Sequence, residues 1–128
     1  MKLLLDTATF LWWITNNESL SHRARELVSD EENEVWFSVV SGWEIVIKTD
    51  LKRIRLLEKA ERFLPKQVAI NGFQVLPIHF HHALRVSALP ALHRDPFDRL
   101  LVAQAIVEGL TIVTGDRQVA KYPAPVAW

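Results

Sequence analysis

Lys2-Leu3-Leu4-Leu5, followed at once by Asp6-Thr7, is the run on which the fold class turns. Four residues that are almost all apolar, with no alternation, suit a strand covered on both faces, the situation of a central strand in a parallel sheet. An aspartate directly after such a strand stands where strand hands over to helix. In open α/β folds those handover points share one edge of the sheet, and ligands bind there. Asp6 also interrupts the apolar run too early for the hydrophobic segment of a signal peptide.

Working outward, Thr7 to Thr15 reads as a helix, and Ser21 can cap a second helix with Ala24, Leu27 and Val28 on one apolar stripe. Val35 to Val39 reads as a strand, with Ser38 or Ser41 opening the helix that contains Glu44. Leu57 to Ala69 is helical in pattern, but Pro65 predicts a kink or two short helices. Phe73 to Ile78 is a further strand and His81 to Ala88 a short helix before Pro90. Asp95-Pro96 caps a long helix through Glu108, stopped by Gly109. Leu110 to Thr114 then gives a strand, Asp116 to Lys121 a short helix, and Pro125 to Trp128 a last edge strand. Strands alternating with helices predict right-handed βαβ units around a parallel sheet.

The 128 residues, 49% hydrophobic, suit one compact domain over 1–128. Fifteen basic residues balance fifteen acidic ones, so no global charge draws the chain to nucleic acid or to an acidic membrane. The chain has no cysteine, which removes disulfides, thiolate metal sites and a Cys nucleophile and fits a reducing, cytoplasmic setting. No apolar run approaches the roughly 20 residues of a membrane helix, so a soluble protein with no membrane partner is expected.

Four acids, Asp6, Glu44, Asp98 and Asp116, each sit at a strand-to-helix handover or in a helix's first turns. Brought to one edge they would repel one another unless a divalent cation joined them. Each alone has a bland explanation. Asp6, Asp98 and Asp116 suit helix caps, and Glu44, in the otherwise apolar Trp43-Glu44-Ile45-Val46-Ile47, can pair with Lys48 one turn on. Asp95 reads as the cap of its helix.

Taken together, Leu3-Leu4-Leu5-Asp6-Thr7, Ser41-Gly42-Trp43-Glu44-Ile45, Asp95-Pro96-Phe97-Asp98-Arg99-Leu100-Leu101-Val102-Ala103-Gln104-Ala105 and Thr114-Gly115-Asp116 resemble the PIN-domain family over essentially the full chain, in family order. The resemblance is to the VapC-type toxins of type II toxin–antitoxin pairs. It implies a three-layer α/β/α sandwich of Rossmann-like type with a central parallel sheet, a Mg²⁺ or Mn²⁺ pocket, ribonuclease activity on RNA, an antitoxin partner and a homodimer. By motif it carries the catalytic and metal-ligating quartet onto Asp6, Glu44, Asp98 and Asp116. Thr7 and Thr114 would orient carboxylates or bind water on the ion.

All-oxygen ligands favour a hard cation over zinc. In the expected mechanism Asp6 and Asp98 are the principal ligands, Glu44 orients or deprotonates the attacking water, and Asp116 completes the site. Lys48, Lys52, Arg53, Arg94, Arg99 and Arg117 are candidate phosphate contacts, with Arg99 and Arg117 preferred because they adjoin site aspartates. The five histidines, His22, His79, His81, His82 and His93, show no zinc spacing, and surface or capping roles are expected for the neighbouring His79, His81 and His82. Trp12 and Trp13 should not both face inward, so a partner could cover the outward one. The competing reading is a non-catalytic PIN-like or receiver-like metal-binding module. The receiver version wants a phosphoacceptor Asp after a mid-chain strand, and Phe73 to Phe80 ends without one.

Overall fold

The computed structural model describes every residue from Met1 to Trp128. Five parallel strands, β1 (Lys2–Leu5), β2 (Glu34–Ser38), β3 (Gln74–Leu76), β4 (Thr111–Val113) and β5 (Val126–Ala127), form one sheet in the order β3-β2-β1-β4-β5. β1 is central as its composition predicts, aligning Leu3, Leu4 and Leu5 with Val35, Trp36 and Phe37 on one side and Thr111, Ile112 and Val113 on the other. The chain leaves β1 toward β2 and β3 and returns to β4 and β5 on the opposite side. Strand order therefore switches direction beside β1, the position where open sheets form a ligand crevice.

Six helices cover the sheet: α1 (Thr7–Ile14), α2 (His22–Ser29), α3 (Val39–Asp50), α4 (Ala60–Ile70), α5 (Phe80–Val86) and α6 (Pro96–Glu108). Alternation along β1 divides the interior between the two faces. Leu3 and Leu5 join Phe10, Ala24, Phe37 and Phe63 in one buried cluster, and Leu4 joins Leu101, Val102 and Ile112 in the other. The three-layer α/β/α sandwich follows. α3 contributes Ile45 to the first cluster and Val40 to the second, so it bridges the layers and carries Glu44 with it.

Helix starts obey their caps. Asp6, Ser21 and Ser38 each accept a backbone N–H from the first turn of α1, α2 and α3, which selects Ser38 over Ser41 as the α3 cap. Asp95 Oδ1 accepts from Phe97 N at 2.8 Å and Asp98 N at 3.3 Å, with Pro96 at the first helical position. Gly109, at φ 68°, ends α6 in the left-handed conformation.

Four local expectations change. Of the two alternatives at Pro65, a kink or two short helices, the second is not met: Pro65 lies inside a single α4, where Phe63, Leu64 and Val68 anchor the inner face on both sides of the proline. β3 is only three residues long, and α5 starts one residue earlier than its pattern implies. After Asp116 there is no α-helix but a 3₁₀ turn, Val119–Lys121, since the Asp116 side chain already accepts Gln118 N–H at 2.8 Å. Trp12 and Trp13 are both half-buried: Trp12 packs on Trp128, and Trp13 donates to Asn71 Oδ1 at 2.9 Å.

Candidate functional site

Asp6 caps α1 and faces the crevice at once. Its Oδ1 accepts Thr9 N–H at 2.8 Å, while its Oδ2 accepts the Thr114 hydroxyl. Thr114 Oγ1 in turn accepts the backbone N–H of Asp116 at 3.0 Å, so one threonine from the end of β4 locates two of the four acids. Thr7 does the equivalent for α3: its hydroxyl donates to Glu44 Oε1 at 2.6 Å, with Ser41 Oγ 2.9 Å away. Both threonines are buried, as are Asp6 and Glu44.

The Glu44–Lys48 ion pair forms one helical turn apart, as spacing suggests, yet it does so inside the site. A cleft of about 310 Å³ at the strand C-terminal edge is lined by Asp6, Glu44, Asp95, Asp98 and Asp116, and Lys48 is its only cationic lining residue. Asp98 comes from the first turn of α6, where the helix dipole favours an anion. Its Oδ2 lies 2.9 Å from His93 Nε2.

The acids feel one another. Burial pushes the Asp6 carboxyl above its ordinary value, against hydrogen bonds from Thr114 and Thr9, and the Asp116 charge adds to the rise. Asp98 is pushed up to about 6, first by burial and then by Asp95; the His93 hydrogen bond opposes the shift, and the charges of Asp6 and Glu44 reinforce it. Five carboxylates facing one ammonium form a donor set with acceptors in excess. Such a set fits a hard divalent cation, which takes oxygen ligands and relieves like-charge repulsion.

The quartet, Thr7 and Thr114 thus converge as the sequence suggests, and Asp95, read as a cap, also reaches the cleft wall. Arg99 does not line the cleft. Its guanidinium donates to Pro90 O at 3.0 Å, Val86 O at 3.2 Å and Tyr122 Oη at 3.2 Å, which pins the segment ahead of α6. Arg94 and Arg117 are exposed, and Lys52 borders a separate hollow beside Arg55 and Lys59. His93 is the residue sequence reasoning passed over. The usable signal was its place two residues before the Asp95 cap, not any histidine spacing.

A family model described as the PIN domain matches residues 3–125. Ribonuclease VapC22 of Mycobacterium tuberculosis (strain ATCC 25618 / H37Rv) is 29% identical over 127 residues, covering 97% of this chain and 95% of that protein. Among solved structures, VapBC2 from Rickettsia felis bound to a DNA fragment from their promoter superposes with TM-score 0.73 at 16% identity, over 100% of this chain and 99% of the other. DNA-bound VapBC from Salmonella typhimurium superposes with TM-score 0.69 at 19% identity, over 99% and 97%.

Proposed function

The chain belongs to the PIN domain family, and from that premise we propose that it is a Mg²⁺- or Mn²⁺-dependent endoribonuclease, the toxin of a type II toxin–antitoxin pair, with residues 1–128 as one PIN domain. The observation that carries the reading is the cleft in which five carboxylates meet a single lysine. The similarity to a ribonuclease along 97% of the chain points to RNA as the polymer cut.

A divalent ion bound there would polarise the phosphodiester, lower the pKa of the attacking water and stabilise the leaving oxygen. Asp6 and Asp98 are the principal ligands in this reading, and Asp116 completes the set from the exposed side. Glu44, its Oε1 held by Thr7, orients or deprotonates the water from the buried wall. Lys48 pairs with Glu44 and offers an ammonium to an incoming phosphate. Arg117, exposed beside Asp116, is a candidate phosphate contact.

Solved structures of this fold include VapBC bound to DNA and a toxin–antitoxin complex from Klebsiella pneumoniae, which supports an antitoxin partner. An apolar groove of about 420 Å³ between α3 and α4, including Val39, Trp43, Val46 and Val75, gives such a partner or a second copy of the chain a surface to cover. No helix is long and apolar enough to cross a membrane. The cytoplasm is the compartment we assign.

Purified protein, free of any partner, incubated with structured and unstructured RNAs tests the activity. Cleavage should require Mg²⁺ or Mn²⁺, stop in EDTA and fall about 10³-fold or more in Asp98→Asn, the scale of losing several kcal/mol of charge stabilisation. Unchanged cleavage in EDTA or in the variant would refute the metal mechanism.

A further inference from the structure

Two places in the molecule bring histidine and carboxylate donors within a single ion's span: His81, His82 and Glu108, and His93, Asp98 and Asp116, each set with its donor atoms inside 4.8 Å. They differ in which ring nitrogen is committed. His82 Nδ1 accepts the backbone N–H of His79 at 3.0 Å, with the Gln104 amide nitrogen 3.3 Å away. A backbone amide can only donate, so Nδ1 of His82 holds a lone pair and the proton sits on Nε2, 3.2 Å from Glu108 Oε2. The nitrogen that faces Glu108 is thereby spent as a donor. That cluster is a closed hydrogen-bond network.

His93 is arranged the other way. Its ring meets the protein through Nε2, 2.9 Å from Asp98 Oδ2, and the side chain is 24% exposed, which leaves Nδ1 to water. The neutral ring can therefore carry its proton on Nδ1 and turn the Nε2 lone pair toward the cleft, the displaced proton exchanging with solvent. Adjacent ligands on an octahedral ion with bonds near 2.1 Å stand about 3 Å apart, so the Nε2 to Oδ2 spacing is already that of neighbours on one cation. The main chain around His93 is held as well: Tyr122 Oη lies 3.4 Å from the His93 carbonyl oxygen, and Arg99 ties Tyr122 to Pro90.

We propose that His93 is a further ligand of the acidic centre and that its imidazole nitrogen biases the cleft toward Mn²⁺ over Mg²⁺, an inference that rests on the metal-dependent reading above. Mg²⁺ is a hard ion that takes oxygen donors and sheds water reluctantly, whereas first-row transition ions accept imidazole. The surrounding carboxylates keep the site suited to Mn²⁺ rather than to a softer ion.

Mn²⁺ titrations followed by electron paramagnetic resonance, with Mg²⁺ as competitor, test this on wild type, His93→Gln and Asp98→Asn without any substrate. Glutamine keeps an amide N–H for Asp98 but has no imidazole lone pair, so it separates ligation from mere orientation of the aspartate. Pulsed measurements on the wild type should show nitrogen hyperfine coupling to bound Mn²⁺, lost in His93→Gln together with about tenfold or more of Mn²⁺ affinity. Mg²⁺ affinity should move much less. Mn²⁺ bound without nitrogen coupling, or an unchanged Mn²⁺/Mg²⁺ preference in a folded His93→Gln, overturns the assignment and leaves the carboxylate centre standing. Failure of the wild type to bind Mn²⁺, or binding unaltered in Asp98→Asn, overturns the metal reading and the His93 assignment with it. Should His93→Gln fail to fold on thermal melting, the wild-type hyperfine signal decides alone.

Discussion

The two halves of α6 hold clusters built from the same residue types, yet they are in opposite electrostatic states. Toward its C-terminus, Ser38 donates to Gln104 Oε1, the Gln104 amide donates to Pro77 O at 3.1 Å, and His82 joins Gln104 to Glu108. Donors and acceptors balance there, and no buried side-chain polar atom in the protein lacks a partner. At the N-terminus, Asp95 and Asp98 face Asp6, Glu44 and Asp116, with Lys48 as the one lining cation. Acceptors outnumber donors. A histidine beside a carboxylate therefore carries little information by itself; the neighbours that complete or fail to complete its hydrogen bonds decide whether the cluster holds the fold together or awaits an ion.

The sharpest way to break the comparison is at the closed end. Gln104→Ala would leave the fully buried Ser38 hydroxyl without its acceptor and remove the donor to the Pro77 carbonyl, and should cost about 2–4 kcal/mol by urea denaturation. Mn²⁺ affinity should stay at the wild-type level. A large loss of affinity would show that the two ends of the helix act as one unit.

A smaller effect is expected from Gly115→Ala at the open end. A Cβ there would lie 2.6 Å from Cε2 and 2.8 Å from Cζ2 of Trp128, whose indole also packs against Trp12. Displacing the ring should cost about 1–3 kcal/mol, the range of overpacked positions, and shift the tryptophan fluorescence. Because Asp116 follows directly, RNA cleavage should fall along with stability.

The smallest effect is a pH slope. Asp98 is raised from 3.8 to about 6, and Asp6 is raised as well. A carboxyl with a higher pKa folded than unfolded binds more protons in the folded state between those two values, so stability falls as pH climbs through that window. Thermal melts of the metal-free protein between about pH 4 and 7 should show this loss as a few degrees of Tm, with a shallower fall in Asp98→Asn. Adding Mn²⁺ at pH 7 should restore wild type more than the variant. Equal slopes in the two proteins would mean that the open end is not strained by its own charge.

Much of this could be read along the chain because it depends on near neighbours. The unbroken Leu3-Leu4-Leu5 run placed β1 at the centre of the sheet, and Asp95-Pro96 with Gly109 bracketed α6, since capping and strand burial are set within a few residues. The fold class and the convergence of Asp6, Glu44, Asp98 and Asp116 follow from where such elements must place their ends. The sequence could not tell how remote groups are consumed. Arg99, beside a site aspartate in sequence, turns to Val86, Pro90 and Tyr122 because those acceptors lie where α5 and α6 meet. Likewise, Pro65 stays inside one helix because its neighbours are buried on both sides of it. His82 and His93 look alike as letters, and only tertiary contacts give one a backbone donor on Nδ1 and set the other's Nε2 against Asp98. Local sequence determined where each carboxylate would stand; long-range hydrogen bonding decided which histidine is closed into a balanced network and which faces a cleft where acceptors are in excess.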